Sequence, residues 1–275
     1  MIKIHPIQTG SVRVKQFQLT GAKNTLSRLW QLFFTQKWAE RMPIYCWLVE
    51  HPSGLILIDT GETARVNEKG YLPDSAAYRG SLQVDIKRED EVDRQLAALG
   101  FSPDDISAIY LTHLHTDHVG GLYHFPNTPI FAPKNEYEIA ISPKGEGNGF
   151  LKKNWPEWFK PQLIDLSDGA EGNFASSQKM TDDGSIVAIP TPGHSAGHLA
   201  YVIKDEDIRY VIAGDVTFNL ETLATSTPNV ILSNNDAVES VAALKTYALA
   251  APTVVLSSHD DNVSALLANK TAFTA

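Results

Sequence analysis

The chain has 275 residues, of which 43% are hydrophobic and 20% are charged, a composition typical of a globular protein with a sizeable core. Its formal net charge of −9 repels phosphate backbones, so nucleic acids are not expected among its partners. No apolar segment has the length or flanks of a signal peptide or a membrane span, which predicts a cytoplasmic protein with no membrane partner.

Short apolar runs rich in β-branched residues recur along the chain and predict strands rather than helices. They cover residues 45–50, 55–58, 108–112, 186–189, 199–203, 210–213 and 253–257. The single cysteine, Cys46, lies in the first of these runs and cannot form an internal disulfide. Its apolar neighbours predict a buried structural residue rather than a reactive thiol.

Helical spacing of apolar residues is found in two other segments. Residues 89–99 and 236–250 are both predicted helices, and Ser102 followed by Pro103 predicts the start of another. The mixture of strands and helices predicts an α/β layered protein. Because no linker divides the sequence, residues 1–275 are expected to form a single domain.

Side chains of the kinds that bind metals follow several predicted strands. They are His113, His115, Asp117, His118, His194, Asp215 and His259. The first four lie within six residues, and the other three follow later strands. Because sites in α/β proteins lie beyond the carboxyl ends of strands, these side chains are expected to meet at one edge of the fold.

Ligand geometry divides these side chains between two ions. Histidines two residues apart can bind one ion, whereas the adjacent Asp117 and His118 point elsewhere and serve a second. The predicted sets are His113, His115 and His194 for one ion, and Asp117, His118 and His259 for the other, with the carboxylate of Asp215 shared. Imidazole and carboxylate without thiolate favour two Zn²⁺ ions, with manganese, cobalt or iron as alternatives.

Three other histidines have an ordinary structural interpretation. His5, His51 and His124 stand apart from the cluster and are interpreted as hydrogen-bonded structural residues. The cluster at residues 113–118 differs, because burying that many ionisable groups without a metal would carry a large desolvation cost.

The His-x-His-x-Asp-His pattern resembles the signature of the metallo-β-lactamase superfamily. Four further motifs of that superfamily stand in the expected order, at residues 57–61, 191–194, 213–215 and 258–260. The resemblance extends from about residue 44 to residue 262. It implies an αββα sandwich, in which two mixed β-sheets are flanked by helices, and a single metallo-β-lactamase-like hydrolase domain over residues 1–275.

The same resemblance implies supporting roles for two residues near the metals. Asp59 is expected to lie near the metals without binding them and to accept a hydrogen bond from a ligating histidine, since such histidines need a partner on their other ring nitrogen. His198 follows His194 by four residues, but the first histidine is the ligand in this superfamily. His198 is therefore expected to be structural or to support a ligand.

Within the superfamily, the chain is similar to the N-acyl homoserine lactone lactonases. The similarity rests on residues 5–10, 43–54, 59–64, 111–121 and 257–260. It implies a dinuclear-metal hydrolase that opens the ring of N-acyl homoserine lactones or related lactones and so silences quorum signals. The implied mechanism is attack by a metal-bridging hydroxide, with Asp117 and Asp215 as catalytic carboxylates and Asp117 passing a proton to the leaving oxygen.

One residue departs from this pattern. The typical lactonases carry a tyrosine three residues after the shared aspartate, where this chain has Phe218. The change removes a hydrogen-bond donor worth about 1–3 kcal/mol. Either another donor replaces it, or the substrate is a different ester, and an aryl-ester or organophosphate hydrolase is the alternative. A non-catalytic, metal-stabilised binding protein is a minor alternative.

Apolar and aromatic residues crowd two segments outside the motifs. One contains Trp30 and Phe33, and the other contains Trp155 and Phe159. They form either a wall for the substrate or core packing and a dimer interface. Trp30, Phe33 and Phe218 are the predicted substrate contacts. Because lactonases of this kind are often dimers with an interface beside the pocket, a homodimer is expected.

Overall fold

The computed structural model of the chain describes residues 2–19, 35, 37–73, 76–229 and 234–274. Its first sheet consists of β1 (Lys3–Val14), β2 (Met42–His51), β3 (Gly54–Ile58), β4 (Leu82–Asp85), β5 (Ile106–Tyr110), β6 (Ile130–Pro133) and β7 (Gln162–Ile164). Its second sheet consists of β8 (Gln178–Lys179), β9 (Ile186–Pro190), β10 (Leu199–Asp205), β11 (Ile208–Gly214) and β12 (Thr253–Ser257). The strand orders are β4-β1-β2-β3-β5-β6-β7 and β12-β11-β10-β9-β8.

The structure describes eight helices. They are α1 (Gln16–Leu19), α2 (Ala76–Ser81), α3 (Val92–Ala98), α4 (Thr116–Val119), α5 (Lys134–Ile141), α6 (Leu220–Ala224), α7 (Asn234–Leu249) and α8 (Val263–Ala268). Of these, α3 and α5 cover the outer face of the first sheet and α7 covers that of the second. Among the described residues, no helix is long and apolar enough to cross a membrane.

Alternation along β2 shows how the layers are built. Trp47 and Val49 pack into a core shared with β9–β12 of the second sheet, whereas Cys46 and Leu48 face a separate core under α3 and α5. All four side chains are buried, as expected for a strand covered on both faces. A third core lies between the second sheet and α7. The αββα sandwich of two mixed sheets is therefore confirmed.

The seven predicted strands and both predicted helices form, with bounds that differ by a few residues. The strand expected at residues 108–112 lies at Ile106–Tyr110, because Leu111 and Thr112 leave the sheet to carry the polar cluster. The start predicted at Ser102 is confirmed, with Ser102 as the cap and Pro103 in the first turn, but the helix is a single 3-10 turn, Pro103–Asp105, because the chain enters β5 at once. The twelve-residue β1 was missed, because its register shifts at a bulge and blurs the alternation.

Candidate metal centre

The seven predicted donors come from the ends of strands in both sheets. His113 and His115 follow β5, and α4 carries Asp117 and His118. The other three side chains follow β9, β11 and β12 and are His194, Asp215 and His259. The structure brings all seven together in two groups. Within each group, the donor atoms lie within 4.8 Å of one another.

The first group consists only of imidazoles. His115 Nδ1 lies 3.0 Å from His113 Nε2 and 2.9 Å from His194 Nε2. Burial, reinforced by the neighbouring histidines, holds the pKa of His113 well below its ordinary value. A neutral imidazole with a free lone pair is the form that binds a transition metal. The three nitrogens therefore form one face of a cation site.

The second group combines two imidazoles with two carboxylates. His259 Nε2 lies 3.5 Å from an oxygen of Asp117 and 3.3 Å from Asp215 Oδ2. His118 Nε2 lies 3.3 Å from Asp215 Oδ1. Asp215 Oδ2 is also 3.4 Å from His194 Nε2 of the first group. Asp215 thus lies within 3.4 Å of imidazole nitrogens from both groups.

The buried donor atoms fit a pair of cations. His118 Nε2 and Asp215 Oδ1 are both buried, and neither has a hydrogen-bond partner among the described residues. Such orphaned atoms normally cost free energy, and a bound metal satisfies them. Burial raises the pKa of Asp215, but the nearby His259 and His118 outweigh it and hold that pKa well below its ordinary value. Nitrogen and oxygen donors without sulfur suit two divalent transition-metal ions of intermediate hardness.

Asp59 lies behind the second group. Its Oδ2 is 2.8 Å from His118 Nδ1, and its two oxygens also accept hydrogen bonds from the backbone N–H and the hydroxyl of Thr112. The Asp59 backbone adopts a left-handed conformation, with φ of 60°, which turns the chain after β3. His259 is oriented similarly, since its Nδ1 donates to the carbonyl of Pro43 at 2.7 Å. Both histidines therefore present Nε2 to the site.

His198 is close to the centre but does not offer a donor atom to it. Its Nε2 accepts a hydrogen bond from the backbone N–H of Asp215 at 3.0 Å, and its Nδ1 is 2.8 Å from the hydroxyl of Thr191. Both ring nitrogens are therefore occupied by protein partners. Gly214 is required beside it, because a Cβ there would lie 2.7 Å from His198 Nε2.

Residues of both donor groups line a cleft of about 170 Å³. One wall is apolar and consists of Val12, Val14, Met42, Leu82, Val84 and Phe218. The described polar residues of the lining, apart from metal donors, are Gln18, Glu62, Tyr78 and Thr116. Phe218 is buried, and its ring centroid lies 4.9 Å from that of His259. Trp30 and Phe33 lie outside the described residues.

Glu62 is a functional candidate that the sequence interpretation missed. Its side chain is buried, Oε1 accepts a hydrogen bond from Thr63 N–H, and Oε2 has no hydrogen-bond partner within the part of the chain that the structure describes. Burial, with the nearby charge of Asp117, raises the pKa of Glu62 to about 8. The signal available was its position one residue after Gly61 in the motif that contains Asp59. Tyr78 was also missed, because no motif marks α2.

Of the two interpretations of Trp155 and Phe159, the structure favours core packing over a substrate wall. Trp155 stacks on Tyr137, Phe159 packs edge-on against both rings at the first core, and neither lines the cleft. The histidines predicted to be structural also lie outside the centre. His5 pairs with Glu50, and His51 contacts the hydroxyls of Ser53 and Ser185. These contacts agree with their structural interpretation.

His124 belongs to a third cluster of potential ligands, with Glu91 and Asp93. Arg88 binds both oxygens of Asp93, and Glu91 accepts hydrogen bonds from Ala64 N–H and the Tyr123 hydroxyl. The carboxylates are therefore occupied by protein donors, and the cluster joins α3 to the loop after β3.

Comparisons with known proteins give the same picture. Residues 39–268 match the family described as the metallo-beta-lactamase superfamily. The N-acyl homoserine lactonase AttM of Agrobacterium fabrum is 29% identical over 243 residues, which are 85% of this chain and 88% of that protein.

Two solved structures share the fold. An N-acyl homoserine lactone hydrolase with the product N-hexanoyl-L-homoserine bound at its catalytic metal centre has a TM-score of 0.77 and 24% identity, covering 96% of this chain and 95% of that one. AidC, a dizinc quorum-quenching lactonase in complex with a product, has a TM-score of 0.64 and 19% identity, covering 94% and 87%. The family match includes both donor groups and most of both sheets, and the chain belongs to the metallo-beta-lactamase superfamily.

Proposed function

We propose that this protein is a dinuclear-metal hydrolase that opens the lactone ring of N-acyl homoserine lactones or related lactones. The observation that carries the proposal is the placement of Asp215 between two donor groups at the floor of a partly apolar cleft. Similarity to N-acyl homoserine lactonases along 85% of the chain supports this substrate class.

We propose that His113, His115 and His194 hold one ion, that Asp117, His118 and His259 hold the other, and that Asp215 bridges them. When bound, a pair of divalent cations supplies Lewis acidity and an acidified water molecule at neutral pH. Asp59 and the Pro43 carbonyl fix the rings of His118 and His259, which keeps the centre preorganised.

We assign the proton transfer of the reaction to Asp117. Hydrolysis adds water to the lactone carbonyl carbon, breaks the bond to the ring oxygen and requires a proton on that oxygen, giving a carboxylate and an alcohol. The Asp117 side chain is 22% exposed, compared with 4% for Asp215, and it lines the cleft. Asp117 would take one proton from the attacking water and pass it to the leaving ring oxygen, and the second proton of the water is lost to solvent from the product acid, while Asp215 remains an anion between the two donor groups.

Tyr78 supplies the hydrogen-bond donor that Phe218 lacks. Both residues line the cleft, on different elements of the chain. Burial, together with the charges of Glu62 and Asp117, raises the pKa of Tyr78 and keeps its hydroxyl protonated. We therefore propose that the phenol, as one of the residues lining the cleft, binds a carbonyl oxygen of the substrate.

A turnover panel tests the function. Metal-loaded and chelated protein would be assayed with N-acyl homoserine lactones of several chain lengths, an aryl ester, a phosphotriester and a thiolester. We expect metal-dependent lactone opening to be the fastest reaction. Cleavage of another ester without any lactone turnover would instead support the aryl-ester or organophosphate hydrolase that the absence of a hydroxyl at Phe218 favours.

Three finer proposals need measurements of their own. Elemental analysis of protein purified without added metal tests whether the ions are zinc, because manganese, cobalt and iron suit the same donors. Light scattering tests the expected homodimer. Fractionation of the native host tests the expected cytoplasmic location.

A further inference from the structure

Glu136 is a buried carboxylate that no step of the reaction uses. It lies in the first turn of α5, which follows β6 at the same edge of the first sheet as the metal donors. Its exposure is 0%, although an ionisable group buried without compensation is strongly unfavourable. The compensation comes from the backbone of two loops.

Each oxygen of Glu136 contacts a different donor loop. Oε2 accepts a hydrogen bond from Gly197 N–H at 2.8 Å, and Oε1 accepts a longer one from Leu114 N–H at 3.4 Å. Leu114 stands between His113 and His115, and Gly197 lies three residues after His194. One side chain therefore joins the loop after β5 in the first sheet to the loop after β9 in the second.

The packing around this contact is close. A Cβ on Gly197 would lie 2.5 Å from the backbone nitrogen of Glu136. The neighbouring Asn135 side chain also donates to the carbonyl of Ala196 at 3.1 Å. The start of α5 and the His194 loop are thus held together by three separate features.

The segment after α5 supports the same donor group. His115 Nε2 lies 3.2 Å from the carbonyl oxygen of Asn148, which leaves Nδ1 to face the other two imidazoles. A Cβ on Gly149 would lie 2.9 Å from that Nε2. By contrast, His118 in the second group is held through its ring by Asp59 and has no contact with α5 among the described residues.

We infer that Glu136 is a positioning residue that holds the loops of His115 and His194 at metal-binding distance from each other. We expect its effect to be larger on the imidazole group, because its hydrogen bonds go to the backbone of the loops that carry His113, His115 and His194, whereas the rings of His118 and His259 are oriented by Asp59 and the Pro43 carbonyl. This inference rests on the proposed dinuclear centre. It predicts that Glu136 affects the affinity of the protein for one of the two ions.

The test compares Glu136→Gln with Glu138→Gln. The first substitution keeps the size of the side chain but places an NH₂ group where a backbone N–H needs an acceptor. Glu138 is an exposed carboxylate on the same helix and is the matched control. Metal content is measured after dialysis against a graded series of chelator concentrations, and thermal unfolding is followed in excess metal.

For Glu136→Gln we expect one ion to be bound about 10–100-fold more weakly while the other is retained as in the parent. Cobalt-substituted protein should lose the absorption of one site only. Equal loss of both ions, unchanged binding of both, or a fall in thermal stability in excess metal that matches the loss of metal would overturn the inference. Failure of the parent protein to bind two ions would instead refute the dinuclear centre, which separates the two results.

Discussion

The two donor groups are assembled by different means. The group of His113, His115 and His194 contains only imidazoles and depends on backbone contacts that join two loops. The group of Asp117, His118 and His259 contains charged donors, and its rings are fixed through Nδ1 by a carboxylate and a carbonyl. Asp215 contacts both groups. In one group the loops that carry the donors are held by hydrogen bonds to their backbone, and in the other the donor rings themselves are held by hydrogen bonds. Different substitutions should therefore affect the two groups.

Removal of the shared residue tests whether the halves are coupled. Asp215→Asn replaces an anion that lies within 3.4 Å of donors from both groups. We expect lactone turnover, as kcat/KM, to fall by about 10⁴-fold, with weaker binding of both ions. The exposed Asp236→Asn is the control, with turnover and metal content measured in parallel. Loss of only one ion would show that Asp215 belongs to a single group.

Glu62, near Asp117 of the group that contains carboxylates, should make the stability of the protein depend on pH. Its folded-state pKa of about 8 lies above the ordinary value of 4.5, so the native state retains a proton that the unfolded chain releases. The stability of the metal-free protein should therefore fall as pH rises from 4.5 to 8. Glu62→Gln should remove roughly 3–4 kcal/mol of this dependence between about pH 5 and pH 8.

Chemical denaturation of the chelated parent and Glu62→Gln proteins at several pH values measures this effect. The stability difference should be smallest near pH 5 and should favour the variant increasingly up to about pH 8. Exposed Glu138→Gln provides the matched control and should show no such trend. Parallel curves for parent and Glu62→Gln would mean that the Glu62 carboxyl ionises normally in the fold.

Asp59 sharpens the contrast between ring and loop positioning. Asp59→Asn removes the negative charge that holds His118 Nδ1 at 2.8 Å, while the size of the side chain is kept. We expect activity and the affinity for one ion to fall by about 10–100-fold. The double variant Asp59→Asn with Glu136→Gln should bind both ions more weakly than the parent. If Asp59→Asn and Glu136→Gln weakened the same ion, the division into two separately held groups would be wrong.

The smallest expected effect concerns the substrate rather than the metals. Tyr78→Phe should lower kcat/KM for the lactone by about 5–10-fold, since it removes one hydrogen bond from the cleft. Phe218→Tyr should give no comparable gain in the parent but should restore part of the loss in Tyr78→Phe. Steady-state kinetics of the four proteins measure this coupling. A large gain from Phe218→Tyr alone would show that Tyr78 does not replace the missing hydroxyl.

The sequence was sufficient for seven of the twelve described strands, for two of the helices and for the grouping of the donors. Apolar runs buried on both faces leave a strong local signal, and a cluster of four potential ligands within six residues is hard to explain without a cation. The motif order also pointed to the superfamily and the lactonase similarity. These features are local or ordered along the chain, so they can be found without knowing which segments meet.

Only the tertiary structure identified Glu62, Tyr78 and Glu136 as parts of the site. Glutamate and tyrosine are ordinary surface residues in most sequences, and their meaning here depends on burial and on neighbours far away in the chain. Glu136 becomes a link between two sheets because its oxygens meet Leu114 and Gly197, separated by 22 and 61 residues from it. Donor types are written in the sequence, whereas their support depends on long-range hydrogen bonds that exist only in the packed fold.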